Sequence, residues 1–272
     1  MGLLDFFKPK TNANHLPTEP NVTVNIQITK PDKSPIIPLE ERIKNVYPSA
    51  NGLYPHEILM LYYANTYKTE NNSFQRFWEY DYSVFEPQKV LDSLFKRGFI
   101  CVADISVVLK KISVPELKEF LKKAECKTSG KKDELIIRIL DKYSKEDLEK
   151  IFPVKYYALT SLGENELQQN EYVVYLHKHH YMSVCDMNIA LNKSNFDHKL
   201  YRDIIWGHFN QQIMEYYKNT DFGLYRNIRL DMYNFLVEEN RYKDAFWHLT
   251  EVASYDLSGL GNGFANILSL TD

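Results

Sequence analysis

Between residues 53 and 104 apolar side chains recur three or four positions apart, the spacing of one helix face. Ile58, Leu61 and Tyr62 share such a face after Pro55, a residue that suits a first helical turn because the N–H it lacks would have no partner there. Asn71-Asn72-Ser73 reads as a turn, with Ser73 capping a short helix that turns Phe74, Phe77 and Trp78 inward. Glu86-Pro87 opens a third helix, with Val90, Leu91, Leu94 and Phe95 inward. Arg97-Gly98 closes it, since glycine accepts the left-handed conformation past a helix end. Phe99–Val102 then reads as a strand, with its partner expected at Lys155–Leu159. Thr160 is placed to cap a further helix carrying Leu167, Tyr172, Leu176, His180, Val184 and Met187 near one stripe.

Between the two strands lies a second amphipathic unit. Ser113 and Glu116 have capping-box spacing, Pro115 sits in the first turn, and Leu117 and Leu121 face inward. A linker over 124–132 leads to a helix with Leu135, Ile136 and Ile139 inward. Residues 8–52 are rich in Pro, Asn, Lys and Thr and read as an arm. Within it Val22–Ile28 alternates with period two; a strand and disorder are both compatible with that segment. After residue 192 three helices follow: one through Leu200, Ile204, Ile205, Phe209, Ile213 and Tyr217, one over 224–238, and one over 242–253.

Three family resemblances emerge from these residues. Val114-Pro115-Glu116-Leu117-Lys118, Leu121, Thr128-Ser129-Gly130-Lys131-Lys132 and Glu134-Leu135-Ile136 together resemble the SAP domain over about 112–141, with Cys126 where that family has an aliphatic residue. Such a resemblance implies a DNA-binding helix–extended loop–helix. The order of three helices, strand, returning strand and helix, with Tyr157-Ala158-Leu159-Thr160 leading to Leu162-Gly163, resembles MarR-like winged-helix proteins. Asn240–Ala245 resembles the turn between paired helices of tetratricopeptide-like hairpins. The expected fold is therefore mainly α. A winged-helix-like α+β body (53–104 plus 153–191) carries an inserted SAP-like module (105–152), followed by a C-terminal helical-hairpin domain (192–272) and preceded by a flexible arm (1–52) with a possible strand at 22–28.

With 272 residues and 44% hydrophobic content the chain can bury one large core or two small ones. A net charge of -3 argues against a surface coated by nucleic acid, but leaves room for a local basic patch. That patch is expected in the insert, where Lys118, Lys122, Lys127, Lys131 and Lys132 cluster, and where Ser129 and Gly130 allow close approach to the backbone N–H groups that open the second helix. Asp133, Glu134 and Asp141 lie nearby, and a solvated lysine face is the competing reading. On the third helix Lys89, with Gln88, is a further candidate DNA contact, although Asp92 would repel phosphate.

Other chemistry is thin. His177, His179 and His180 with Cys185 lack the convergence that a metal site requires. His180 is expected to pack inward, with His177 and His179 partly exposed. Gly259–Gly263 lacks the Lys-Ser or Lys-Thr of a phosphate loop. No catalytic residues, cofactor or metal are expected. The three cysteines form no framework, and the apolar run near Leu3 is too short for a signal peptide, so a cytoplasmic protein without a membrane partner is expected. The Tyr-rich C-terminal helices suggest a protein partner or a homodimer. Non-catalytic DNA binding is the leading functional expectation; the alternative is a protein-interaction scaffold that ignores nucleic acid.

Overall fold

The computed structural model describes residues 37–193 and 197–260. The alternating segment 22–28, part of the turn after 192, and Gly261 and Gly263 lie outside the described residues. Among the described residues the chain is mostly helical, with one small antiparallel two-stranded sheet that does not close.

After a single turn, α1 (Leu39–Arg42), come α2 (Pro55–Ala64), α3 (Phe77–Tyr80) and α4 (Pro87–Lys96). Helix α3 is shorter than the sequence suggests: it starts from Arg76 without a side-chain cap, so Ser73 does not open it. Leu91 and Leu94 of α4 are fully buried, whereas Phe95 is largely exposed. Gly98, at φ +78, ends α4 and lets the Phe99 N–H reach back to the Leu94 carbonyl at 3.0 Å. Strand β1 (Ile100–Val102) follows and pairs with β2 (Tyr157–Leu159), Ile100 facing Leu159 and Val102 facing Tyr157. The two strands hold residues 102 and 157 side by side, so everything between them hangs from one end of the ribbon.

That intervening chain forms α5 (Ile105–Lys111), α6 (Val114–Lys123), α7 (Lys132–Lys142) and α8 (Lys145–Ile151). These four helices share a core of their own, built from Ile105, Val108, Leu109, Leu117, Leu121, Leu135, Ile136, Ile139 and Leu148. The first and last of them were not resolved as helices by periodicity, because each is only two turns long. Asp104 and Ser144 cap them, accepting from the Ser106 and Asp147 N–H groups.

Beyond β2 the single helix expected after Thr160 is three: α9 (Ser161–Gln169), α10 (Glu171–His179) and α11 (Val184–Lys193). Asn170 breaks the first junction with φ -122 and ψ 39, and His180 breaks the second in the left-handed region at φ 56. The apolar spacing runs through both breaks, which is why the sequence alone reads as continuous. Thr160 does cap α9, accepting from the Gly163 N–H at 3.3 Å. Gly163 itself lies against β1: a Cβ there would stand 2.2 Å from the Phe99 carbonyl oxygen.

The remaining described helices are α12 (Tyr201–Lys218), α13 (Phe222–Glu238) and α14 (Tyr242–Ser258). Both connections reverse through a left-handed residue, Thr220 at φ 56 and Asn240 at φ 59. In each the next N–H bonds back to the preceding helix, Asp221 to the Tyr216 carbonyl and Arg241 to the Leu236 carbonyl, both at 2.9 Å. Ile205, Phe209, Met232 and Phe235 join the large core that α2, α4 and α10 also line.

Candidate nucleic-acid interface

The module α5–α8 begins with a strongly specified helix start. In α6 the Ser113 N–H donates to Glu116 at 3.0 Å, and the Glu116 N–H reaches the Ser113 hydroxyl at 3.4 Å. The Ser113 hydroxyl, donating at 2.6 Å, holds the Glu116 carboxyl below its usual range, so the box stays closed at neutral pH. Helix α6 ends at Ala124. Glu125 then turns left-handed at φ 53, and the Cys126 N–H bonds to the Leu121 carbonyl at 2.8 Å.

From Lys127 the chain runs without regular structure to Lys131, the cap of α7. Two of its carbonyls are met by a basic side chain that periodicity gave no reason to single out. Arg138 donates to the Lys127 carbonyl at 2.5 Å and to the Ser129 carbonyl at 3.3 Å. The Lys142 ammonium donates to the carbonyl of Ala124, the C-cap of α6. Lys132 donates to the Lys110 carbonyl at 2.6 Å, joining the end of α5 to the start of α7. These bonds solve a specific problem. A loop outside any ladder leaves its carbonyls unpaired, and Arg138 of α7 pairs two of them.

The N–H groups of the same stretch have the opposite fate. Among the described residues, none of the backbone N–H groups from Lys127 to Glu134 finds an acceptor in the chain. Those of Lys132, Asp133 and Glu134 open α7, whose cap residue Lys131 offers no side-chain acceptor. Gly130, at φ +126, forms the corner, and a Cβ there would meet the Glu134 carboxylate at 2.3 Å. The loop thus has N–H groups without an acceptor among the described residues, while its Lys127 and Ser129 carbonyls are held by Arg138. Lys118, Lys122, Lys127 and Lys131 are exposed and form no ion pair among the described residues. Lys118 and Lys122 are one turn apart on α6 and share a face. Asp133 and Glu134 are exposed in the first turn of α7 and oppose an incoming anion there.

The other expected site residues fall differently. Lys132 is engaged with the Lys110 carbonyl, so its role in this geometry is to hold the module together. Lys111 is likewise engaged: it donates to the Asn65 carbonyl at 2.6 Å and lies over the Tyr156 ring, fastening the module to the end of α2. Lys145 pairs with Asp104, whose carboxyl is held down to about 2 chiefly by that hydrogen bond. Lys89 is on α4, away from the module in sequence, and pairs with Glu86 at 2.6 Å. Its neighbour Gln88 donates to Asp92 and accepts from Asn72, both at 3.0 Å, so the polar face of α4 is largely satisfied internally.

His177 and His180 reverse the sequence expectation, while His179 is partly exposed as expected. His177 is buried, with Nε2 3.0 Å from the Tyr63 hydroxyl and Nδ1 2.9 Å from that of Tyr82, while His180 is exposed at the left-handed turn. Burial holds the His177 imidazole below its usual pKa. Among the described residues no group of three or more His, Cys, Asp or Glu side chains is placed to hold a metal ion. Nor, among them, is any helix long and apolar enough to cross a membrane.

The module is thus a small helical unit in which a lysine-rich loop joins two amphipathic helices. The profile of the SAP domain family, a nucleic-acid-binding motif, matches residues 108–141, from the middle of α5 to the end of α7. No curated protein and no solved structure matches the chain.

Proposed function

We propose that this protein binds duplex DNA without catalysing a reaction on it, and that the SAP module makes the contacts. The observation that carries this reading is the run of unpaired N–H groups from Lys127 to Glu134, flanked by the uncommitted ammonium groups of Lys127 and Lys131. Phosphate oxygens are strong acceptors, and such donors recognise them without reading a base. Lys118 and Lys122 extend the positive surface along α6, and Ser129 and Gly130 let the backbone approach closely. In this reading β1 and β2 present the module at the place where a winged helix carries its wing, and residues 53–104 with 153–191 act as its winged-helix-like body. The C-terminal helices, arranged as hairpins of tetratricopeptide-like form, serve as a contact surface for protein.

Fluorescence anisotropy with labelled double- and single-stranded DNA across a salt series tests the proposal. Duplex binding that weakens with salt is expected, and Lys127→Gln/Lys131→Gln should lower the log–log salt slope by roughly 0.9 for each phosphate contact removed. Absence of binding to either form at low salt would sink the proposal and leave the scaffold reading, which the exposed rings of α14 favour.

A further inference from the structure

Helix α14 closes the row formed with α12 and α13, and its outward side is apolar. Ala245 and Val252 are buried against the rest of the domain, while Tyr242 (62% exposed), Phe246 (59%), Trp247 (68%) and Leu257 (90%) face away from it. The charges of this helix are largely spent elsewhere: Glu251 pairs with Arg229 at 2.9 Å, Asp256 with Arg226 at 2.7 Å and Asp244 with Arg241 at 2.9 Å. What is left is a largely apolar stripe that keeps one charge, Lys243 in the first turn, and has its bulk distributed unevenly. The rings sit in the amino-terminal half, and the small residues Thr250, Ala253 and Ser254 follow them.

We infer that this stripe binds a second copy of the chain, α14 against α14 in antiparallel orientation about a two-fold axis near Thr250. This deepens the reading of the C-terminal helices as a protein contact surface and rests on it. A two-fold interface must be complementary to itself. Reversing the helix about residue 250 sets Phe246 and Trp247 over Ala253 and Ser254 of the other copy, ring against recess, at both ends of the contact. The same reversal brings Lys243, exposed in the first turn, to the carboxyl end of the opposing helix, where a cation is favoured. Because the axis lies near Thr250, the two Lys243 side chains fall at opposite ends of the contact, which keeps the like charges apart. Aromatic side chains bury about 150–250 Å² each, so three rings roughly three-fifths exposed, with Leu257, offer on the order of 500 Å² per copy. The total, about 1,000 Å², is at the lower end for a specific interface and corresponds to a weak, concentration-dependent dimer.

Sedimentation equilibrium of the full chain from about 1 to 100 µM, the range suited to a weak interface, reads the outcome. The expected weight-average mass rises toward twice that of one chain, and Trp247→Glu weakens the association about tenfold or more, as removal of a central tryptophan does. Trp247 is exposed, and an unchanged circular-dichroism melt would confirm that the variant is folded. Under mild oxidation Thr250→Cys should form a disulfide-linked dimer well above the parent background, and Lys243→Cys should not. A chain that stays monomeric over the whole range overturns the inference. So does dimerisation that Trp247→Glu leaves intact, or cross-linking that favours position 243. Dimerisation appearing only when Leu268→Asp is introduced would assign the stripe to the chain's own residues 261–272 instead. Anisotropy on a short duplex with Trp247→Glu reads the DNA proposal separately: retained binding with lost dimer, or the reverse, identifies which of the two has failed.

Discussion

Arg138→Met separates the shaping of the loop from contact with DNA. The methionine keeps an unbranched stem at this position of α7 but removes the guanidinium, which donates to two loop carbonyls at 2.5 and 3.3 Å. A hydrogen bond from a charged donor is worth about 1.5–3 kcal/mol. Arg138 is partly exposed and the second bond is long, so a loss of about 1–2 kcal/mol of module stability is expected. Freed from Arg138, the loop between Gly130 and the end of α6 would sample conformations in which its N–H groups no longer keep the arrangement that the two bonds fix. Ordering it again on binding costs free energy, and DNA affinity should fall roughly tenfold, about 1.4 kcal/mol. The salt slope should change by less than about half a unit, because no phosphate contact is deleted. Thermal denaturation and anisotropy in parallel salt series measure all three quantities. If Arg138→Met instead lowers the slope as much as Lys131→Gln does, the guanidinium itself meets phosphate and the assignment of roles is wrong. If affinity is unchanged while stability falls, the unpaired N–H groups are not the contact surface.

Further outcomes follow from single features. Gly163→Ala would force a Cβ to within 2.2 Å of the Phe99 backbone oxygen, so a loss of about 1–3 kcal/mol is expected in urea denaturation, with DNA contacts untouched. Leu121→Ala empties a fully buried position of the module's own core; a loss of about 2–5 kcal/mol is expected, and hydrogen exchange should rise in α5–α8 far more than around α2 and α10. His56 is buried, and desolvation lowers its pKa from 6.5 to about 4. Its depressed pKa means that the unfolded chain binds more protons below pH 6.5, so this contribution to stability is intact above 6.5 and declines as pH falls toward 4. Melting temperature against pH should show that decline, and His56→Gln should flatten it.

Much of the local structure could be read along the chain. The capping box at Ser113 and Glu116, the stop at Gly98 and the inward stripe Leu135-Ile136-Ile139 are set by side chains within a few residues of one another, so sequence spacing is sufficient to place them. The pairing of Ile100–Val102 with Tyr157–Leu159 was also legible, because two short apolar runs bracket the insert; the bridge from Lys68 to Tyr156 beside it was not. The break at His180 was not, since no glycine or proline marks it and the apolar spacing continues through it.

For the candidate interface the division is sharper. Sequence alone determined that lysines crowd the segment 110–132 and that a linker there joins two amphipathic helices. Which of those charges remain available was decided only by the tertiary structure. Lys111 and Lys132 are drawn to carbonyls of Asn65 and Lys110, while Lys118, Lys122, Lys127 and Lys131 are left exposed. The same holds for His177, which sits between the hydroxyls of Tyr63 and Tyr82, each far away in the chain. A side chain's charge and helical position are local properties, but its hydrogen-bond partner is whatever the packed chain brings within about 3 Å, and only the fold determines that.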